Sequence, residues 1–276
     1  MFPRLTIMCQ EYPLRRLGNR PHVPQNVNPQ GQRRSWRIIC MILGLSVLPL
    51  SVHADPAPPL RNWGDAMTSL TLGLGWLVPA VGLKPASLSM PHLSIPNDPK
   101  ELFAIDRIAV GPRNLTLSKV SDGMVFGLLA GAAAQAAWLA RDSGTRGRSA
   151  ATVESLLLTG AVVEWLKVSV GRSRPYSYDH VISPKDDFAH RSFPSGHTAM
   201  AFGAALALTL SWRDNGFLNG AGGKAAAAGI WAAAASTASL RVASSSHFPT
   251  DVLASSGIAV LCGVIVEGVR WKAAHR

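Results

Sequence analysis

Six Ala-, Gly- and Leu-rich stretches of about 15 to 18 residues, at 66–83, 125–140, 150–166, 198–212, 225–240 and 252–266, limit what this chain can fold into. Each is longer than a typical strand, and no apolar–polar alternation competes within them. Turn-forming stretches separate them, among them Asp142-Ser143-Gly144, Asp214-Asn215-Gly216 and Gly220 to Gly223. Small side chains at helix contacts let backbones approach closely. The expected fold is therefore all-α, a six-helix bundle, with no repeat of fixed period. The polar, proline-containing stretch 84–121 has no clear period beyond a short helix at 99–108. A loop of that length is a candidate cover for a site.

The apolar stretches fall below or near the ~20 residues needed to span hydrocarbon. Arg33, Arg34 and Arg37 precede an apolar run, 38–50, that ends in Val52-His53-Ala54 ahead of Asp55. A basic flank, a short apolar core and a small residue at the cut make a secretory leader. The expected organisation is an N-terminal extension and signal peptide (1–54), a linker (55–65) and a helical domain (66–270) of an exported, periplasmic protein. If the leader delivers Asp55 outside and all six stretches span, the chemistry described below falls on the cytoplasmic face, in conflict with export. A soluble or peripherally attached bundle has no such conflict. The alternative is an uncleaved leader and six true spans, an integral inner-membrane protein whose site faces the periplasm.

The formal charge of +11 suggests a polyanionic partner until its distribution is read. Seven arginines against the single acid Glu11 lie before residue 55, which leaves an ordinary balance of 20 cations and 15 acids beyond it. With no basic helix or aromatic-lined groove, nucleic acid is not an expected partner. Cys9 and Cys40 would leave with the leader, and Cys262, inside an apolar run, reads as a small buried hydrophobe.

Three clusters carry chemistry. Lys167 ends the third stretch and Arg174-Pro175 follows after six residues. Two cations at a helix exit grip a dianion or complement the helix dipole, and Arg172 competes with Arg174 for the first role. Pro194-Ser195-Gly196-His197 stands directly before the fourth stretch. Unpaired N–H groups there bind an anion together with Ser195, and Gly196 allows close approach; the plainer reading is a Ser cap with a surface His. Arg241 ends the fifth stretch, and His247 and Asp251 flank the start of the sixth. A carboxylate that accepts from one imidazole nitrogen leaves the other free to attack, although the same pair would also serve as a helix cap.

In order and spacing these clusters resemble the type 2 phosphatidic acid phosphatase superfamily, shared with bacterial acid phosphatases and vanadium haloperoxidases. The family pattern is Lys, six residues, Arg-Pro; Pro-Ser-Gly-His; and Ser-Arg, five residues, His, three residues, Asp. Every spacing fits here, over about 150–266, and the single departure is Leu240 where the family has Ser, with Ser239 one place early.

The resemblance implies a metal-independent phosphatase acting on phosphomonoesters or lipid phosphates. His247 would be the nucleophile, Asp251 its orienting carboxylate and His197 the general acid and base. Lys167, Arg174, Ser195, Gly196 and Arg241 would bind the phosphate. No HExxH or CxxC motif suggests a metal. The expected partner is a phosphorylated small molecule or a lipid phosphate, with possible membrane association. Alternatives within the resemblance are a phosphatase of undecaprenyl diphosphate or another lipid diphosphate in the inner membrane, and a haloperoxidase holding vanadate as cofactor; in a phosphatase vanadate would inhibit. Tyr176, Tyr178, His180 and His190 are candidates for the entrance, and Glu154 and Glu164 are expected to face solvent or to pair with basic neighbours.

Overall fold

The structure is a computed structural model that describes residues 62–83, 98–179 and 187–274. The leader, the residue at the proposed cut and His180 lie outside the described residues. Among those described there are six α-helices and no strand: α1 Asn62–Gly82, α2 Leu115–Leu139, α3 Arg146–Val170, α4 Gly196–Asp214, α5 Ala221–Ala243 and α6 Pro249–Ala274. Short 3₁₀ turns, including Pro99–Glu101, Asp106–Ala109 and Pro175–Tyr178, occupy the links.

α4 is the axle. It is apolar on all sides, with Ala201, Phe202, Ala205 and Leu208 buried, and it packs against α2, α3, α5 and α6. Small residues set the spacing. A Cβ on Gly263 would come within 2.5 Å of Leu206 Cδ2, and one on Gly160 within 2.5 Å of the Trp76 ring, where α1 lies on α3. α3 stops at Gly171, whose left-handed φ of 59° turns the chain out of the helix after its N–H closes on the Lys167 carbonyl.

The largest departure from the sequence expectation is α2, which begins ten residues ahead of the apolar stretch at 125. Asn114 caps it by accepting from Leu117 N at 3.1 Å. Its first two turns carry Ser118, Lys119, Ser121 and Asp122, polar residues that hide the apolar period. The stretch 99–108 is two 3₁₀ turns joined at 102–105, and its Asp106 is fully buried. Thus 98–121 supplies structural floor and wall.

At the end of the bundle away from Lys167, charged side chains are buried in pairs. Arg270 holds Glu154 through two 2.9 Å bonds, and Arg148 bridges Asp214 and Glu267. Arg148 and Lys167 are about 28 Å apart along α3, so these pairs tie α3, α4 and α6 together far from the phosphate-type cluster. Glu154 and Glu164 both pair with basic groups, the second with Lys167 at 2.5 Å and with Arg191 at 3.3 Å.

The outer surface is unusually apolar. Leu70, Leu74, Leu77 and Val81 form an exposed row on α1, and Leu261, Val264, Ile265 and Val269 another on α6. α2 and α6 are long and apolar enough to cross a membrane, a property that core helices of soluble proteins share.

Candidate active site

All three sequence clusters meet at one end of the bundle. The last turn of α3, the loop after it, the N-terminus of α4, the last turn of α5 and the loop into α6 converge there. Lys167, Arg174 and Arg241 each act electrostatically on both His197 and His247. Gly196 sits so close to Lys167 that a Cβ would fall 2.8 Å from its Nζ. A larger residue at this position would push the ammonium aside. Ser195 is fully buried and caps α4, its Oγ accepting from Thr198 N at 3.4 Å and from Thr198 Oγ1 at 3.0 Å. Burial pushes the Lys167 pKa down against the pull of Glu164.

His247 is 1% exposed, and its Nδ1 donates to the Ser192 carbonyl at 2.7 Å. A neutral ring held this way carries its lone pair on Nε2. Asp251 lies 3.7 Å from Nδ1, so the carbonyl, not the carboxylate, is the ring's hydrogen-bond partner. Asp251 is engaged elsewhere: Oδ2 accepts from Ser192 Oγ at 2.6 Å and Phe248 N at 2.9 Å, and Oδ1 from Arg172 at 2.6 Å. Its link to His247 runs through Ser192, whose hydroxyl bonds to the carboxylate and whose carbonyl accepts from the ring. Burial raises its pKa to about 6, against the pull of Arg172.

The two arginines of the first cluster divide their work. Arg172 bridges the fully buried carboxylates of Asp106, at 2.8 Å, and Asp251, at 2.6 Å, and its guanidinium lies 4.1 Å from the centre of the Phe248 ring. Arg174 turns the other way. Its Nε donates to Phe188 O at 2.8 Å and its Nη1 to Ser246 O at 3.2 Å, which ties the loop after α3 to the loop that carries His247. Ser245 in that second loop holds a left-handed φ of 54°, and its carbonyl accepts from Tyr176 N at 3.2 Å.

Arg241 is 3% exposed, and its Nη1 reaches Ser118 Oγ (3.0 Å), Ser121 Oγ (3.2 Å) and Asp122 Oδ1 (3.1 Å), all on α2. Its buried Nε has no partner among the described residues, an orphaned donor that an anion's oxygen would satisfy. Burial and then Arg174 bring its pKa down to about 10, so it remains a cation at neutral pH. His197 Nε2 lies 2.9 Å from the same oxygen of Asp122, and since a carboxylate only accepts, Nε2 carries the hydrogen.

Sequence reasoning missed Asp122, Asp106, Ser192, Glu164 and Arg191 as parts of this end of the molecule. Asp122 alone left a signal, as one of two charges in a long, largely apolar helix. Ser239 Oγ donates to the Ala235 carbonyl of its own helix at 3.0 Å. Tyr178 stands edge-on to Phe248 with ring centres 5.8 Å apart, Arg113 lies 5.4 Å from the Tyr176 ring centre, and His190 Nδ1 meets Ser173 Oγ at 3.3 Å.

Burial and the neighbouring Arg241, Lys167 and Arg174 hold the His197 pKa down to about 3, the Asp122 contact notwithstanding. A bound dianion offsets those cations, though not the burial, and so raises the imidazole pKa from that value. Binding must then take up protons and tighten as pH falls. Sulfate, a tetrahedral dianion that takes no proton in this range, is expected to bind at pH 5 with net proton uptake. Calorimetry in two buffers of different ionisation heat measures this, and equal heats would show that the anion does not relieve the cationic field.

An all-helical bundle that gathers three cations, two imidazoles and the amides of a helix N-terminus around one point is built to hold a tetrahedral oxyanion. Residues 149–274 match the PAP2 superfamily model, a superfamily whose members are generally phosphatases. No curated protein and no solved structure matches the chain. α1, α2, Asp106 and Asp122 lie ahead of the matched residues.

Proposed function

We propose that this protein is a metal-independent phosphatase that hydrolyses phosphomonoesters or lipid phosphates through a phosphohistidine. The observation that carries the reading is the meeting of His247 and His197 under the shared field of Lys167, Arg174 and Arg241. His197 enters the step as imidazolium: His247 Nε2 attacks phosphorus, the P–O ester bond breaks, and the departing oxygen takes the Nε2 proton of His197, which becomes a neutral imidazole. His197 then removes a proton from water, whose oxygen attacks phosphorus and breaks the P–N bond. Inorganic phosphate leaves and both imidazoles return to their starting state. The three cations, the orphaned Nε of Arg241 and the first amides of α4 hold the equatorial oxygens, where charge gathers during transfer. Asp251 keeps Ser192 in place behind His247.

The exposed apolar rows on α1 and α6 favour a lipid-contacting form and a lipid phosphate substrate. The test is to express the full chain, fractionate cells without detergent, and assay phosphate release from phosphatidate micelles and from p-nitrophenyl phosphate. Activity is expected in the membrane fraction, with phosphatidate the better substrate. Activity confined to the soluble fraction would favour the periplasmic form acting on small esters. No release from either substrate would overturn the reading.

A further inference from the structure

Asp122 stands in the second turn of α2, opposite the N-terminus of α4, with its side chain 37% exposed at the mouth of the site. One oxygen, Oδ1, lies 2.9 Å from His197 Nε2 and 3.1 Å from Arg241 Nη1. These are the two groups a phosphoryl substrate requires, the guanidinium for a non-bridging oxygen and the imidazole N–H for the leaving oxygen. An anionic oxygen held by both at once stands where the substrate's oxygens belong. The carboxylate and a phosphate cannot both have those donors at full strength, and two anions at that separation repel.

We propose that Asp122 is an internal anion that occupies the leaving-oxygen end of the cradle while the site is empty and is displaced by the incoming phosphoryl group. The proposal rests on the phosphatase reading. Asp122 is a positioning residue: it keeps the His197 ring turned with Nε2–H into the cradle, and it sets a negative charge against Arg241. Its partial exposure gives the displaced carboxylate a route to water. When product forms, its return competes with inorganic phosphate for Arg241 and His197, so that a site with three cations still releases its product.

The experiment uses the full chain and inorganic phosphate and sulfate as probes. Asp122→Asn removes the charge at nearly constant shape, and Asp122→Ser guards against the amide oxygen taking over the contact with Arg241. Both variants are expected to bind phosphate and sulfate about tenfold more tightly than the wild type. Their kcat and KM for p-nitrophenyl phosphate are expected to fall together as product release slows. Asp122→Glu, which keeps the charge, is expected to bind both anions as weakly as the wild type. A purely structural residue would instead give weaker binding on substitution. Binding that is unchanged or weaker in both neutral variants overturns the proposal while leaving the phosphatase reading intact. Failure of the wild type and all variants to bind either anion or release phosphate overturns both.

Discussion

Replacing His247 with Ala is expected to abolish the covalent phosphoenzyme and to lower phosphate release by on the order of 10⁴-fold or more, as losses of a nucleophile commonly do. The ring is buried and its Nδ1 is committed to the Ser192 carbonyl, so Nε2 is the only nitrogen with a lone pair to offer. No nearby side chain replaces it: Lys167 is occupied by Glu164, and His197 faces Asp122. The measurement is a rapid alkaline quench with a labelled phosphoryl donor, since a phosphorus–nitrogen bond survives base. Label on the His247→Ala protein at the wild-type level would remove His247 from its role. The partner variant, His197→Ala, separates the two imidazoles. It is expected to slow turnover about 10²- to 10⁴-fold while still labelling from p-nitrophenyl phosphate, whose leaving group needs no proton.

Arg172→Ala is expected to cost about 3 kcal/mol of stability, the lower end of the range for breaking a buried ion pair because the arginine keeps some contact with solvent. The loss has a definite origin. Asp106 and Asp251 are fully buried, and both are joined to the one guanidinium. Without it, two carboxylates share the space below His247, and the Phe248 ring loses its cationic cover. A fall in Tm of roughly 6–12 °C corresponds to that cost, and thermal or urea unfolding followed by circular dichroism reads it. Arg174→Ala, which removes hydrogen bonds to carbonyls but strands no buried carboxylate, is expected to lower Tm by less and to weaken phosphate binding. An Arg172→Ala protein as stable as the wild type would show that the bridge does not form.

Residues near one another in sequence, or fixed by a motif, were legible before the structure. Lys167, Arg174, Ser195, Gly196, His197, Arg241, His247 and Asp251 all arrive at one end of the bundle because each sits at a helix end, where a short spacing fixes direction. Length, Ala, Gly and Leu content and the turn-forming breaks located the six segments, since α3 to α6 are largely apolar and end at such turns. What stayed hidden depends on chain-distant pairing. Asp106 meets Arg172 and Thr250, and Ser118, Ser121 and Asp122 meet Arg241. The start of α2 was missed because the polar residues that wall the site interrupt its apolar pattern. The direct link expected between Asp251 and His247 was also too simple. Ser192 lies outside all three motifs, and nothing in the sequence marks its carbonyl as the group that holds the ring.

The contribution of α2 has a bearing on how far the motifs can be trusted as a boundary. A fragment cut to 149–274 would keep every motif residue. It would also leave Arg241 without the two hydroxyls and the carboxylate that aim it, and Arg172 without one of its two acids. The contacts that hold Arg241 and Arg172 therefore extend some forty residues upstream of the matched residues. α2 thus walls the candidate site as well as bracing the bundle.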